Sequence, residues 1–355
     1  MTSHTSLASL YNEFEKRGWQ RKATARILFE LSINVLLSLS GIVVFLAWDS
    51  LPVRACGMIL STAGSIGVGT NAHTSSHYAT SDRRWVNELL TYFGCTCFLG
   101  LSATYWWYKH LTIHHLAPNV VGVDKDADLL PWFAMTEPEV ARGGRLRIFY
   151  YKKIQWIMFP FFLALNGFGM QWSGFAYLAR ALKSPQRRKR SHWIDMAALL
   201  LFFAAWAVVP MFYFPVLDVL AFYALRISLM GYAMFAVFAP SHFPSEAVRF
   251  SEDKRDLDRV FLQTATTLNF RTGPIGRLIC SGLQYQIEHH LVPQFSHVYY
   301  PRMRPLIEEF CRERGLPYRT LQWDHALWKC WMVFRTPQPV NPDIQARESQ
   351  PTNKA

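Results

Sequence analysis

Six long stretches of this 355-residue chain avoid charge almost entirely, and they decide what it can fold into. Leu31–Trp48, Ala55–Ala72, Leu89–Tyr108, Ile154–Ala179 and Met196–Leu217 contain no Asp, Glu, Lys or Arg, and Val219–Ser241 contains only Arg226. A helix crosses the hydrocarbon core with about 20 mostly apolar residues, so each stretch is long enough to enter a bilayer. The short link Asp49–Arg54 joins the first two. Asp218, with Pro215 nearby, divides the last two. Both pairs therefore read as hairpins. Composition agrees: 51% of residues are hydrophobic and 15% aromatic, but only 17% are charged, against about 25% in soluble domains. This excludes a disordered chain and an ordinary soluble enzyme.

Positive charge sets the expected orientation. The chain carries 37 Lys and Arg against 25 Asp and Glu, a net charge of +12. Lys16, Arg17, Arg21, Lys22 and Arg26 precede the first apolar run, and Lys183–Arg190 is a basic loop. Basic loops face the cytoplasm, so this excess indicates topology rather than nucleic-acid binding. Met1–Arg26 is polar and no A-x-A-like site follows the first run, which is therefore read as a retained helix. The segment Tyr108–Lys153 is also basic and should lie on the cytoplasmic side. Leu89–Tyr108 and Ile154–Ala179 then cannot each cross once; they lie in the interface or dip and return. The expected fold is an all-α integral membrane protein with four transmembrane helices in two hairpins, two interfacial segments and a cytoplasmic histidine-rich cap. Residues 1–27 form a cytoplasmic N-terminal arm, 28–335 the membrane domain, and the polar, proline-rich residues 336–355 a disordered tail. Both termini are cytoplasmic. The six cysteines include no CxxC and read as free thiols.

Seven of the twelve histidines fall in three short windows: His73-Thr-Ser-Ser-His77, His110-Leu-Thr-Ile-His114-His115 and Gln286-Ile-Glu-His289-His290. Uniform scatter would place fewer than one there. Residues at i and i+4 share a helix face, so His73 pairs with His77, and His110 with His114. His115 is turned about 100° further and reaches a second centre. Gln286, His289 and His290 repeat the pattern at i, i+3, i+4. Facing one another, the three windows deliver seven imidazoles and one amide to a shared volume. A lone histidine would read as a structural residue; three clusters beside apolar stretches read as a metal site. Imidazole suits zinc, copper, iron and nickel. Neutral ligands leave a metal pair electrophilic, with positions free for dioxygen, which favours two irons while zinc and copper stay open. His242 follows the last apolar run and is a candidate eighth ligand. His4, His192 and His325 are read as structural, and His297 is left open.

At these residues the chain resembles the membrane fatty acid desaturases. The three windows look like that family's three histidine boxes, and Gln286 in place of the third box's first histidine is similar to the front-end group, which includes acyl-lipid and sphingolipid enzymes. Trp106–His115, Pro118-Asn119, Asp124–Asp128 and Gly282–Pro293 look like the flanks of the second and third boxes. Asn119, Asp124 and Asp128 are the candidates to orient the ligands from behind, and Asp126 belongs to the same acidic run. Three departures stand out: Thr74 where an acidic residue is usual, Ser241 where asparagine often precedes the lone histidine, and no His-Pro of a fused b-type cytochrome. The first two bear on the groups behind the ligands; the third implies a separate electron donor, a ferredoxin or a b-type cytochrome with its reductase. It also leans towards a bacterial inner membrane rather than the endoplasmic reticulum.

The resemblance implies oxygen-dependent desaturation of a lipid-linked or CoA-linked acyl chain at a di-iron centre, with O2 as co-substrate. The reacting carbons offer no polar handle, so the shape of an apolar tunnel must choose the bond. A di-iron hydroxylase acting on acyl chains or sphingolipids is the alternative within the same chemistry. A histidine-rich metal transporter or sensor, or a haem cytochrome, is the alternative of another class; neither suits i, i+4 clusters lying beyond the apolar stretches on one face. Asp218 and Arg226 lie near or within the last hairpin and are assigned no catalytic role.

Overall fold

The structure is a computed structural model and describes residues 6–254 and 256–342. His4 and the tail beyond residue 342 lie outside the described residues. Helix dominates. Helix α1 (Leu7–Lys16) begins at a Ser6 cap, whose hydroxyl accepts from the Ser9 amide at 3.1 Å. Then come α2 (Thr24–Ala47) and α3 (Leu51–Ser76), the first two of four helical segments long and apolar enough to span a bilayer. Glycines set their spacing: a Cβ on Gly41 would lie 2.3 Å from the Ser61 amide nitrogen, and one on Gly64 would lie 2.3 Å from that of Ser38. The backbones touch there, and the Ser38 hydroxyl meets those of Ser61 and Ser65 at 3.3 and 2.8 Å. Small residues and hydroxyl contacts of this kind join helices in lipid. The outward faces carry exposed Leu36, Val43, Leu51 and Ile59.

The stretch Leu89–Tyr108 is two helical arms. Helix α4 (Arg84–Thr91) widens into a π-helical turn over Tyr92–Phe98. The chain reverses at Gly100, whose φ of +72° favours a residue without Cβ. Helix α5 (Ala103–Trp106) follows and continues as a π-helical segment, Trp107–His114. Short α6 (Glu137–Ala141) and α7 (Arg145–Phe149) precede α8 (Gln155–Leu163) and α9 (Asn166–Lys183), which divide the apolar stretch Ile154–Ala179 at Ala164–Leu165. The remaining candidate spans are Arg190–Phe212, containing α10 (Arg190–Phe203), and Val216–Ser241, containing α11 (Val216–Phe238). Helix α11 packs on α3 and α9, and α10 on the Tyr92–Phe98 turn and α9.

Beyond α11 lie α12 (Arg259–Ala265), β1 (Asn269–Arg271), α13 (Pro274–Cys280), α14 (Gln286–Leu291), α15 (Tyr300–Glu313), β2 (Thr320–Gln322) and α16 (Trp323–Met332). The two strands pair in parallel, with Phe270 opposite Leu321. The all-α expectation is corrected to that extent; three-residue strands are too short to leave an alternating pattern. The expected unstructured tail also begins with an ordered strap. Gln338 donates its backbone amide to Met135 O at 2.8 Å and its side-chain amide to Phe243 O at 2.7 Å, and the Asn341 amide donates to Arg249 O at 2.9 Å. These partners lie some 90 to 200 residues away in sequence, so local composition carries no trace of them.

Candidate metal centre

The three histidine windows converge at one end of the long helices. Helix α3 carries His73 in its last turn and His77 just past it; α11 runs straight into His242; and α14 brings Gln286, His289 and His290 from the following segment. The π-helical segment after α5 supplies His110 and His114, with His115 next in chain. All eight imidazoles are buried.

They form two adjoining sets. Ligand nitrogens of His73, His77, His110, His115 and His289 lie within 4.8 Å of one another, as do those of His114, His242 and His290. In the larger set the Nε2 atoms of His73 and His110 are 2.9 Å apart, those of His110 and His115 3.2 Å, and those of His115 and His289 3.1 Å. Gln286 Nε2 is 3.0 Å from His242 Nε2. The buried Nε2 atoms of His77 and His290 have no partner among the described residues. Imidazole nitrogens facing each other or nothing, in a buried site, fit metal ligands.

The second window divides between the two sets, although His110 and His114 also group with Asp126 within the same 4.8 Å. On α-helical spacing His110 and His114 share a centre and His115 serves another. Here His110 and His115 belong to the five-imidazole set and His114 to the three-imidazole set. The cause is the wider π turn: the His115 amide donates to His110 O at 3.0 Å, an i→i+5 bond. His110 and His114 still stack, with ring centroids 5.1 Å apart.

Four of the outward nitrogens are held, while the buried Nδ1 of His242 has no partner among the described residues. His114 Nδ1 meets Asp124 Oδ2 at 3.0 Å, His290 Nδ1 meets Gln263 Oε1 at 2.6 Å, and the longer contacts of His110 with Asp126 (3.5 Å) and His289 with the Tyr300 hydroxyl (3.4 Å) follow the same pattern. A hydrogen bond on Nδ1 fixes the tautomer and turns Nε2 inward. Trp106 stacks on the His110 ring at 4.3 Å and donates its indole N–H to the Ser76 hydroxyl.

Of the three orienting candidates, Asp124 takes that role. Asn119 works one step back: it occupies a left-handed conformation (φ 54°), donates its side-chain amide to His242 O at 2.8 Å, and gives its backbone amide to Asp124. Asp128 reaches no histidine; it faces Lys125 at 3.5 Å and accepts from the Leu130 amide. Asp126 replaces it, paired with Lys109 and beside His110. Gln263 and Tyr300 carried no signal in the sequence. Of the two departures, the one at Thr74 resolves locally, whereas the buried Ser241 hydroxyl has no partner among the described residues. The Thr74 hydroxyl meets His297 Nδ1 at 3.0 Å, and His297 Nε2 meets Glu30 at 3.0 Å, so His297 stays outside both metal sets. Ser241 accepts from the Leu268 amide through its backbone. His192 stands apart, bound to the Lys189 amide, and His325 lies in the first turn of α16.

Electrostatics keeps most of the site neutral. Burial, then the nearby His114, pushes His77 down to about 3, and burial with His114 does the same to His242. His114 itself moves up: burial opposes its charge, but Asp124 outweighs it. Asp124 is correspondingly held below the usual carboxylate range, against burial, chiefly by His114.

A cavity of about 720 Å³ opens onto the cluster, within the size range of ligand pockets. His110, His114, His242 and Gln286 form part of its wall; Phe159, Met170, Met234, Phe235 and Phe238 supply apolar surface.

The fatty acid desaturase profile matches residues 49–322. The chain belongs to the fatty acid desaturase family. The family places it among oxidoreductases acting on fatty acyl groups. Relatives carry front-end and acyl-lipid names. The chain is 26% identical over 273 residues to the Delta(5) fatty acid desaturase fat-4 of Caenorhabditis elegans, covering 74% of this chain and 58% of the relative. It is 25% identical over 356 residues to Delta(8)-fatty-acid desaturase 2 of Arabidopsis thaliana, covering 95% and 74%. It is 25% identical over 319 residues to an sn-1 linoleoyl-lipid 6-desaturase of Arthrospira platensis, covering 84% and 82%. The chain thus spans little more than half the length of fat-4. These relatives bear out the likeness drawn from the histidine windows, and the four apolar helices accord with a membrane desaturase.

Proposed function

We propose that this desaturase inserts a double bond into a lipid-linked or CoA-linked acyl chain, using dioxygen, two iron ions and electrons from a separate donor, with front-end regiochemistry. The observation that carries this reading is the joining of two inward-facing imidazole sets to an apolar cavity. A reduced iron pair supplies the activation of dioxygen needed to take one hydrogen from each of two neighbouring methylenes, leaving an alkene and water. His73, His77, His110, His115 and His289 would hold one ion; His114, His242 and His290 would hold the other, with Gln286 beside His242.

The chain's own work is positional. Asp124 and Gln263 fix the His114 and His290 rings from behind. The Phe and Met walls hold a saturated chain by shape and exclude water. Lys109 and Asp126, paired with each other, bring charge to the cavity wall, which Asp124, Lys125 and Asp128 also line. The same proposal includes two membrane-crossing hairpins, two interfacial segments, and a histidine-rich cap on the cytoplasmic side with both termini. The basic loop at Lys183–Arg190 precedes α10 at the end where Asp195 meets the α5 region, and the arm before α2 lies at the histidine end, where the Thr24 hydroxyl donates to Thr80 O.

The test is expression in a host of simple lipid content, with fatty acids and long-chain bases profiled by mass spectrometry against a His289→Ala, His290→Ala double variant. An unsaturated species that needs the intact chain is expected, and its bond position reports regiochemistry. A hydroxylated species in its place would move the reaction to hydroxylation.

A further inference from the structure

Two buried charges lie in or beside the apolar spans, and neither touches the histidines. Asp195 sits in the second turn of α10 and is fully buried. Its carboxylate accepts five hydrogen bonds: from the hydroxyls of Thr96 (2.6 Å), Ser102 (2.7 Å) and Thr104 (2.5 Å), and from the amides of Ala103 (3.2 Å) and Thr104 (2.8 Å). Those two amides are the first of α5. Arg226 sits midway along α11, 2% exposed, and donates Nη2 to Phe98 O at 3.0 Å. Its guanidinium lies 3.8 Å from the centre of the Trp206 ring, while Nε and Nη1 meet no acceptor among the described residues. Phe98 ends the Tyr92–Phe98 turn. Gln171 of α9 adds a third hold, donating to Leu99 O at 3.2 Å while accepting from the Tyr223 hydroxyl.

The two charges match the helix ends they touch. A cation belongs at a helix C-terminus and an anion at an N-terminus, where orphan carbonyls and amides concentrate partial charge. Arg226 meets the end of the incoming arm and Asp195 the start of the outgoing arm. Between them lies the Leu99–Ser102 reversal, which lipid cannot solvate. The outgoing arm carries Trp106, His110, His114 and His115. His110 lies seven residues beyond Ala103, about two turns away.

We propose that Asp195 and Arg226 are positioning residues: together they clamp the Leu99–Ser102 reversal and so set the height and rotation of the helix that presents His110, His114 and His115. Intramembrane charge here serves the metal centre from a distance rather than touching substrate. The effect on metal rests on the proposed iron-binding function; the effect on the reversal does not.

The experiment uses the full chain in lipid nanodiscs and two readouts, hydrogen exchange by peptide and bound iron(II) per chain. Asp195→Asn turns one carboxylate oxygen into an amide donor, set against either the Ala103 amide or the Thr104 amide and hydroxyl, and Arg226→Met removes the charge at similar length. Each is expected to speed exchange across residues 96–106 by about tenfold or more, leave α2 and α3 at the parent rate, and lower bound iron. Asp195→Glu and Arg226→Lys should recover most of both, which a general loss of packing would not permit. Ser102→Ala removes one of the five donors to Asp195 and, with it, the cap that Ser102 places on the Tyr105 amide at 3.1 Å, and it should show the same local pattern more weakly, should the stronger variants fail to fold. Parent-like exchange over 96–106 in Ser102→Ala together with either charge variant overturns the clamp, as does acceleration spread equally over α2 and α3. Local acceleration in a protein whose parent binds no iron would keep the clamp and sink the iron reading.

Discussion

Gln263 offers the sharpest test of how the ligands are held, because one side chain serves two ligand-bearing elements. Its Oε1 accepts from His290 Nδ1 at 2.6 Å and its Nε2 donates to His115 O at 2.9 Å. Gln263→Met keeps the length and removes both bonds. Loss of the group behind a metal-bound histidine costs about 10–100-fold in metal affinity. That corresponds to about 1.4–2.8 kcal/mol. Each buried group left without a partner also costs about 1–3 kcal/mol of stability. The loss should be larger at the set containing His290, whose ring loses its partner, than at the set containing His115, which loses only a bond to its backbone carbonyl, so anaerobic iron(II) titration with a competing chelator should show the two sites weakened unequally. Gln263→Glu separates the two bonds: its carboxylate still accepts from His290 but has no donor for His115 O. It should recover metal affinity more than thermal stability. Two sites of unchanged affinity in Gln263→Met would refute the argument that these outward bonds hold the ligands in place.

Three further outcomes follow from the geometry. Asp126→Asn should lower bound iron and product formation, whereas Asp128→Asn should leave both near the parent level, measured by metal analysis and acyl profiling. Gly41→Ala drives a Cβ against the Ser61 amide and should destabilise the α2–α3 pair by about 1–3 kcal/mol, read as a lowered unfolding midpoint in detergent without a change in product identity. His77 and His242, pushed down to about 3 in the folded chain, titrate near 6.5 when unfolded. Between those values the unfolded chain binds protons that the folded chain does not, so the metal-free protein should lose stability as pH falls below about 6.5, by about 1.4 kcal/mol per pH unit for each histidine. Denaturant unfolding across this range, in the presence of a chelator, measures the slope; stability that rises on acidification would contradict it.

The ligand windows were legible because their signal is local: i, i+3 and i+4 spacing survives in the sequence whatever the fold. His73 with His77, and the convergence of all three windows, needed nothing more. The partition of His110, His114 and His115 was not legible, since α- and π-helical turns are written with the same residue types. The groups behind the ligands were legible only where they lay nearby. Asp124 is ten residues from His114, but Gln263 is 27 from His290 and reaches it through the packing of α12 on α14. The Asp124-x-Asp126-x-Asp128 alternation misled for a related reason: in an irregular loop, a period of two assigns no face. Apolar stretches marked the long helices well, and dip-and-return was one of the two readings of Leu89–Tyr108, but the point of reversal was not legible, because Gly100 looks no different in sequence from a glycine at a helix contact.

The π turn at the second window makes spacing matter more than identity. Leu111, Thr112 and Ile113 lie outside the fully buried set, with Thr112 exposed, so many substitutions among them leave the imidazoles where they are. Removing any one of the three is a different event: it would swing His114 and His115 by about 100° relative to His110 and change which imidazole set each faces. Along this interval, the number of residues is the constrained quantity and most of their side chains are free.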